Sequence, residues 1–235
     1  MPRTAPVQIR SRNCLIQRLS DARVPVDENN LPCLGERLGR LFGLGDTMAL
    51  DAATAYRSRQ PGTHNAGTLE QLCQELVRAR RALIDQIADY GEAAPEDDDG
   101  TRDPEQLLNH YRVQQRKLAA TSRQLRDKVR RAMKAQSQSL ARLAELDSVF
   151  DHTMASYTSQ CFAHIPNALE QQLQGLQTSS QTLSEHSQER SSDSDIWPYC
   201  HYEEARNLLL AELEVRLEPV LGLLEAFHQE VNQSS

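Results

Sequence analysis

Apolar residues recur along this chain at intervals of three and four, and only rarely in strict alternation. That is the period of helices with one buried face, not of strands. The longest such pattern lies between Asp103 and Ile165, where neither Gly nor Pro follows Pro104 until Pro166. Its stripe runs Leu108, Tyr111, Leu118, Leu125, Val129, Met133, Leu140, Leu143, Phe150, Met154, Tyr157, Cys161 and Ile165. Gln115, Ser122, Gln136 and Asp147 fill the gaps, giving about 3.56 residues per step, between a straight helix and a heptad seam. Asp103 as N-cap, Pro104 at the first helical position and Gln106 as reciprocal partner define the start. The pattern predicts one long central helix over about 103–165. At ~1.5 Å per residue it would reach roughly 90 Å, against about 40 Å for a globule of this mass. The molecule is therefore elongated, or this helix kinks, or part of it packs on another chain.

The flanking elements are shorter. A helix over about 12–19 buries Leu15, Ile16 and Leu19, and Leu34, Leu38, Leu41 and Phe42 form the face of another. Gly43 and Gly45 end that element, and Asp46 is the candidate N-cap of a helix reaching Tyr56. Thr68 and Gln71 have capping-box spacing and open a helix to about Tyr90, with Leu72, Leu76, Leu83 and Ile87 on its stripe. Residues 91–102 read as a flexible acidic loop, and 178–196 as a flexible Ser-rich linker. Pro166 is expected to bend or stop the long helix. The last helix carries Tyr202, Leu209, Leu213, Leu217, Val220, Leu224, Phe227 and Val231, with a heptad-like seam from Leu213 and a kink expected at Pro219. The fold class is all-α: an elongated helical bundle around the long helix. Its parts are a short-helix region (1–60), a helical hairpin with the long helix (68–177), the linker (178–196) and a C-terminal amphipathic helix packing back (197–232).

Charge sharpens this picture. The chain has 26 Lys and Arg against 33 Asp and Glu, a net −7 that argues against bulk nucleic-acid binding. Yet residues 102–142 hold eleven basic and three acidic side chains. Arg116, Arg123 and Arg130 are spaced by seven along one edge of the long helix. Glu214, Glu218 and Glu225 fall on one face of the last helix. The basic edge has three readings: a solvated face, pairing with the acidic edge within or between chains, or a phosphate-tracking rail. No aromatic interleaves with it apart from Tyr111 on the apolar stripe, which weakens the nucleic-acid reading.

Other chemistry is thin. Cys161-x-x-His164 and Cys200-His201 lack the usual zinc-site spacing, with Cys161 expected on the apolar face, and Glu225-x-x-His228 resembles half of a di-iron helix motif but has no second Glu-x-x-His to complete it. No cofactor, metal or catalytic residue is expected, and none of the common nucleotide, nucleophile-elbow or metalloprotease motifs occurs. Five scattered cysteines suit reduced thiols in a cytoplasmic protein. No apolar run approaches a membrane span, and no secretory signal is evident.

The stretches YRVQQRKL, LRDKVRRAM and LARLAELDSVF, the late LLLAELEVRLEPVLGLLEAF and the early GERLGRLFGLGDTMAL together resemble a proteobacterial family catalogued as a domain of unknown function. The resemblance covers most of the chain outside the acidic loop and Ser-rich linker. It implies a bacterial protein with envelope-associated partners and carries no catalytic or binding residues to transfer. The expectation is a non-enzymatic helical interaction or scaffold protein that self-associates or docks on a partner helix. The alternative is a nucleic-acid-binding accessory protein using the basic edge.

Overall fold

The computed structural model describes residues 15, 34–57, 66–90, 104–184 and 196–233. These form α1 (Leu34–Leu41), α2 (Leu44–Thr54), α3 (Ala66–Ala88), α4 (Pro104–Gln136), α5 (Gln138–Ser184) and α6 (Ile196–Gln233). The fold is an all-α bundle. No described helix is long and apolar enough to cross a membrane. The acidic loop and most of the helix expected around Leu15 lie outside the described residues.

The long run is not one helix. It breaks at Ser137 and doubles back. Gln115 meets Phe162, Arg126 meets Asp147 and Lys134 meets Glu145, so α4 and α5 are antiparallel. Ser137 caps α5: its hydroxyl accepts the Leu140 N–H at 3.2 Å, and its carbonyl accepts the Ala141 N–H at 2.9 Å. A serine can cap locally at little cost. The reversal also brings the acids of early α5 onto the arginines of late α4, which a straight helix would leave without them.

The α4–α6 pair forms the centre of the bundle. The two run parallel, with Tyr111 and Gln115 beside Glu212 at one level and Ser137 beside Glu230 at another. Helix α3 flanks the pair, antiparallel to α4. Its C-terminal Tyr90 is fully buried, donates to the Leu107 carbonyl at 2.7 Å and stacks near Tyr202. Helix α5 lies on the other flank, and α2 packs outside α5, with Phe42 against Phe150 and the Thr153 hydroxyl donating to Asp46.

The core joins Leu76, Leu83 and Ile87 of α3, Leu118, Leu125, Val129 and Met133 of α4, and Leu209, Leu213, Leu217 and Phe227 of α6. From α5 come Leu140, Ile165 and Leu169. Each such burial is worth about 1.5–3 kcal/mol against exposure. Beyond Ser137 the predicted stripe fails in part, for Leu143, Phe150 and Cys161 are exposed. Turning the chain over presents Ala141, Ala144 and Phe162 inward instead.

Three boundaries also differ from expectation. Gly43 caps α2, and Asp46 lies inside the first turn, its carboxylate accepting the Gly43 N–H at 2.9 Å. That bond and the Thr153 hydroxyl hold the Asp46 carboxyl below its ordinary range. Helix α3 starts at Ala66, so Thr68 is within it rather than its N-cap. Helix α5 continues to Ser184, into the predicted linker, because neither Gly nor Pro interrupts 176–184; residues 185–195 lie outside the described residues.

Pro166 sits inside α5 rather than ending it. A proline has no N–H to offer the carbonyl four residues earlier, which here is Phe162. The Gln115 side-chain amide supplies that hydrogen bond from α4, at 2.9 Å. The same nitrogen donates to Glu212 of α6, also at 2.9 Å. Gln115→Leu should therefore cost about 2–4 kcal/mol, since two buried acceptors each lose a donor. In a Pro166→Ala background the restored backbone N–H should reduce that cost by about 1 kcal/mol or more. Chemical denaturation of the four variants measures this, and equal cost in both backgrounds would refute the substitution.

Candidate interaction surface

The polar side chains divide into two buried clusters and two exposed rows. The first cluster surrounds Glu212, fully buried on α6. Its carboxylate accepts from Arg216 at 2.7 Å and from Gln115, with the Tyr111 hydroxyl at a long 3.5 Å. Arg216 lies over the Phe162 ring at 3.7 Å, a cation–π contact that shields its charge from water. Burial raises the Glu212 carboxyl above its ordinary range, against the pull of Arg216, Gln115 and Tyr111. Tyr111 is raised by burial and by the Glu212 charge.

The second cluster joins α4 to α5. Arg126 reaches both oxygens of Asp147, at 2.9 and 2.5 Å, and Asp151 at 2.6 Å. Arg130 donates to Asp147 at 2.6 Å and to Asp151 at 3.0 Å. Burial disfavours the Arg130 charge, but the hydrogen bonds and charges of Asp147 and Asp151 outweigh it and raise its pKa. Lys134 pairs with Glu145 at 2.5 Å, and Lys128 of α4 pairs with Glu75 of α3.

The predicted basic edge is therefore divided. Arg130 leaves it, with only 9% of its side chain exposed, to hold the hairpin together. Arg116 and Arg123 remain exposed, and no described carboxylate pairs with them. Arg112, beside them, approaches Glu170 of α5 only at 3.9 Å. Glu214, Glu218 and Glu225 are exposed on α6 and meet none of the three arginines. Intramolecular pairing of the two edges is thus not made. At ~100° per residue the glutamate row lies roughly opposite Glu212, on the side of α6 turned away from α4. By the same period the arginine row lies about 100–140° around α4 from Tyr111, on the edge where Arg112 approaches Glu170 of α5.

Between Leu107 and Arg126, α4 carries no acidic residue. Arg116, Lys117 and Arg123 are all exposed there, and Arg78, Arg80 and Arg81 of α3 are exposed at the same level of the bundle. The other residues singled out by spacing do not converge. Cys161 and His164 are exposed, the Cys200 side chain is outside the described residues, and His228 pairs with Asn232 instead of a metal-binding set. Among the described residues no group of three His, Cys, Asp or Glu is placed to hold a metal ion.

Sequence reasoning missed Glu212, Arg216, Asp151 and the role of Gln115. The signal was present as polar residues inside an apolar period. Gln115 and Asp147 interrupt the stripe of the long run, and Glu212 and Arg216 fall between Leu209 and Val220 on the inner face of α6. A polar residue in a stripe becomes informative once its partner is known.

The clusters and the rows respond differently to mutation. Asp147→Ala leaves two largely buried arginines without their main acceptor and should cost about 3–5 kcal/mol. Arg116→Ala should stay within about 0.5 kcal/mol. Urea midpoints separate the two, and comparable losses would contradict the division. The Glu212 shift predicts a pH effect of definite sign. A carboxyl raised on folding favours the folded state most fully below its unfolded pKa, and that contribution is lost as pH rises through the folded pKa. Wild type should lose stability relative to Glu212→Gln between about pH 4 and 7. Denaturation at both values checks this, and a constant difference would exclude it.

No curated protein and no solved structure matches the chain. A family model described as "Protein of unknown function (DUF3348)" matches residues 3–229. The match spans the described helices up to the last turn of α6, so the bundle with its divided arginine row is a member of that family.

Proposed function

We propose that the chain is a non-enzymatic helical interaction protein that receives an acidic partner along the outer face of α4. The observation that supports this most is the exposed pair Arg116 and Arg123, which no described carboxylate neutralises, beside Arg112 with only the 3.9 Å contact to Glu170, in a chain with an excess of acid. Arg112 and Arg116 are like charges at i, i+4, an arrangement that destabilises a helix by about 0.2–0.5 kcal/mol. A row serving only solubility is better built from alternating signs, as on the Glu36–Arg40 face of α1. Arginine also suits carboxylate recognition through its planar fork. The exposed thiols Cys73 and Cys161 fit work in a reducing, cytoplasmic compartment.

The nucleic-acid alternative is weakened by geometry. Of its three evenly spaced arginines, Arg130 is engaged with Asp147 and Asp151, and the remaining two span only about 10 Å of helix. Affinity capture from source cells with wild type and with Arg116→Glu/Arg123→Glu, at equal fold content by circular dichroism, tests the proposal. An acidic protein retained by wild type, released by about 0.3 M salt and absent from the variant is expected. Identical retained sets would overturn the reading. Salt-dependent binding of duplex oligonucleotide, with a log–log slope that falls by roughly 0.9 per arginine removed, would replace it with the alternative.

A further inference from the structure

Resting on that reading, we propose that the acidic partner is a second copy of this chain, bound face to back. The arginine row of α4 in one copy meets the row Glu214, Glu218 and Glu225 on α6 of the next. Three observations on these rows converge.

The first is register. Arg112, Arg116 and Arg123 are separated by four and then seven residues, and so are Glu214, Glu218 and Glu225. Laid side by side in parallel, the two helices form all three pairs at once: Arg112 with Glu214, Arg116 with Glu218, Arg123 with Glu225. Every antiparallel register pairs at most two of the three. The second is the space between the pairs. In the parallel register Ala120 faces Gly222, around which a Cβ would meet nothing within 4 Å, and Leu221, 51% exposed, faces Ala119. Small residues midway between the charges let two helices approach closely. The third is the like-charge cost on both sides. Glu214 and Glu218 repel at i, i+4 just as Arg112 and Arg116 do, and one contact relieves both.

The rows lie on different faces of the bundle, the arginines on the α5 edge of α4 and the glutamates on the exposed side of α6, and they do not meet within a chain. A contact between two different faces is heterologous, and copies related by near-translation extend as an open stack. Exposed ion pairs contribute about 0–1 kcal/mol each, so the stack is weak and salt-sensitive.

The test is a charge swap read by sedimentation velocity over a concentration series. Wild type at low salt should show association that is lost at about 0.5 M salt. Arg116→Glu/Arg123→Glu and Glu218→Arg/Glu225→Arg should each be monomeric alone, with unchanged circular dichroism. Mixed in equal amounts they should associate again, because each then offers the face the other lacks. A wild type that stays monomeric to millimolar concentration overturns the proposal, as does a mixture that fails to re-associate. If wild type is monomeric while Arg116→Glu/Arg123→Glu still loses an acidic protein in the capture experiment, the docking face stands and only its assignment to a second copy falls.

Discussion

One side-chain nitrogen ties the centre of this bundle together. Gln115 donates to the Phe162 carbonyl, whose helical donor is missing because Pro166 lies four residues on, and to Glu212, a carboxylate buried on α6. The single amide therefore answers a backbone acceptor on one helix and a charge on another. Each acceptor left alone in a dry interior would be costly, so α4, α5 and α6 are held at one relative height. Arg216 completes the arrangement by covering Phe162 and pairing with Glu212. An apolar core tolerates sliding by a turn far better than such a network does, and register here follows from hydrogen bonding more than from leucine packing.

With that level set, the hairpin turn at Ser137 determines where charge goes. Folding back brings Glu145, Asp147 and Asp151 against Lys134, Arg126 and Arg130, and the end of the bundle near the turn is neutralised internally. Nearer the Gln115 level, α5 offers α4 little acid beyond the distant Glu170. The residual positive charge on α4 is a consequence of which acids the antiparallel register delivers. Helix α6 has the complementary problem, because its inner face is occupied by Glu212 and the core, and its other glutamates turn outward. A protein with opposite charges on separate faces follows from these two registers.

Much of the fold was legible. The helix-forming period and the Pro104 start are local features, and each stands in the structure. The fold-back was hidden because Ser137 resembles any serine in a polar, Gln-rich stretch, and because the stripe continues in phase across it. Pro166 misled in the opposite direction. It reads as a stop, yet a glutamine fifty-one residues earlier in the chain supplies the bond it removes. Arg130 could not be separated from Arg116 and Arg123 by spacing, since all three share one edge of an ideal helix.

The sequence by itself determined that this is a set of amphipathic helices with an excess of basic charge on one and acidic charge on another. Helical period and capping depend on residues within a turn of one another, so they can be read locally. Only the tertiary structure decided that the longest run folds in two, that Arg130 serves the interior, and that the two charged rows do not pair with each other. Those outcomes depend on partners well separated in the chain, seventeen residues for Arg130 and Asp147 and ninety-seven for Gln115 and Glu212 among them. No periodicity encodes which distant polar group will arrive opposite another. That depends on the register at which whole helices pack.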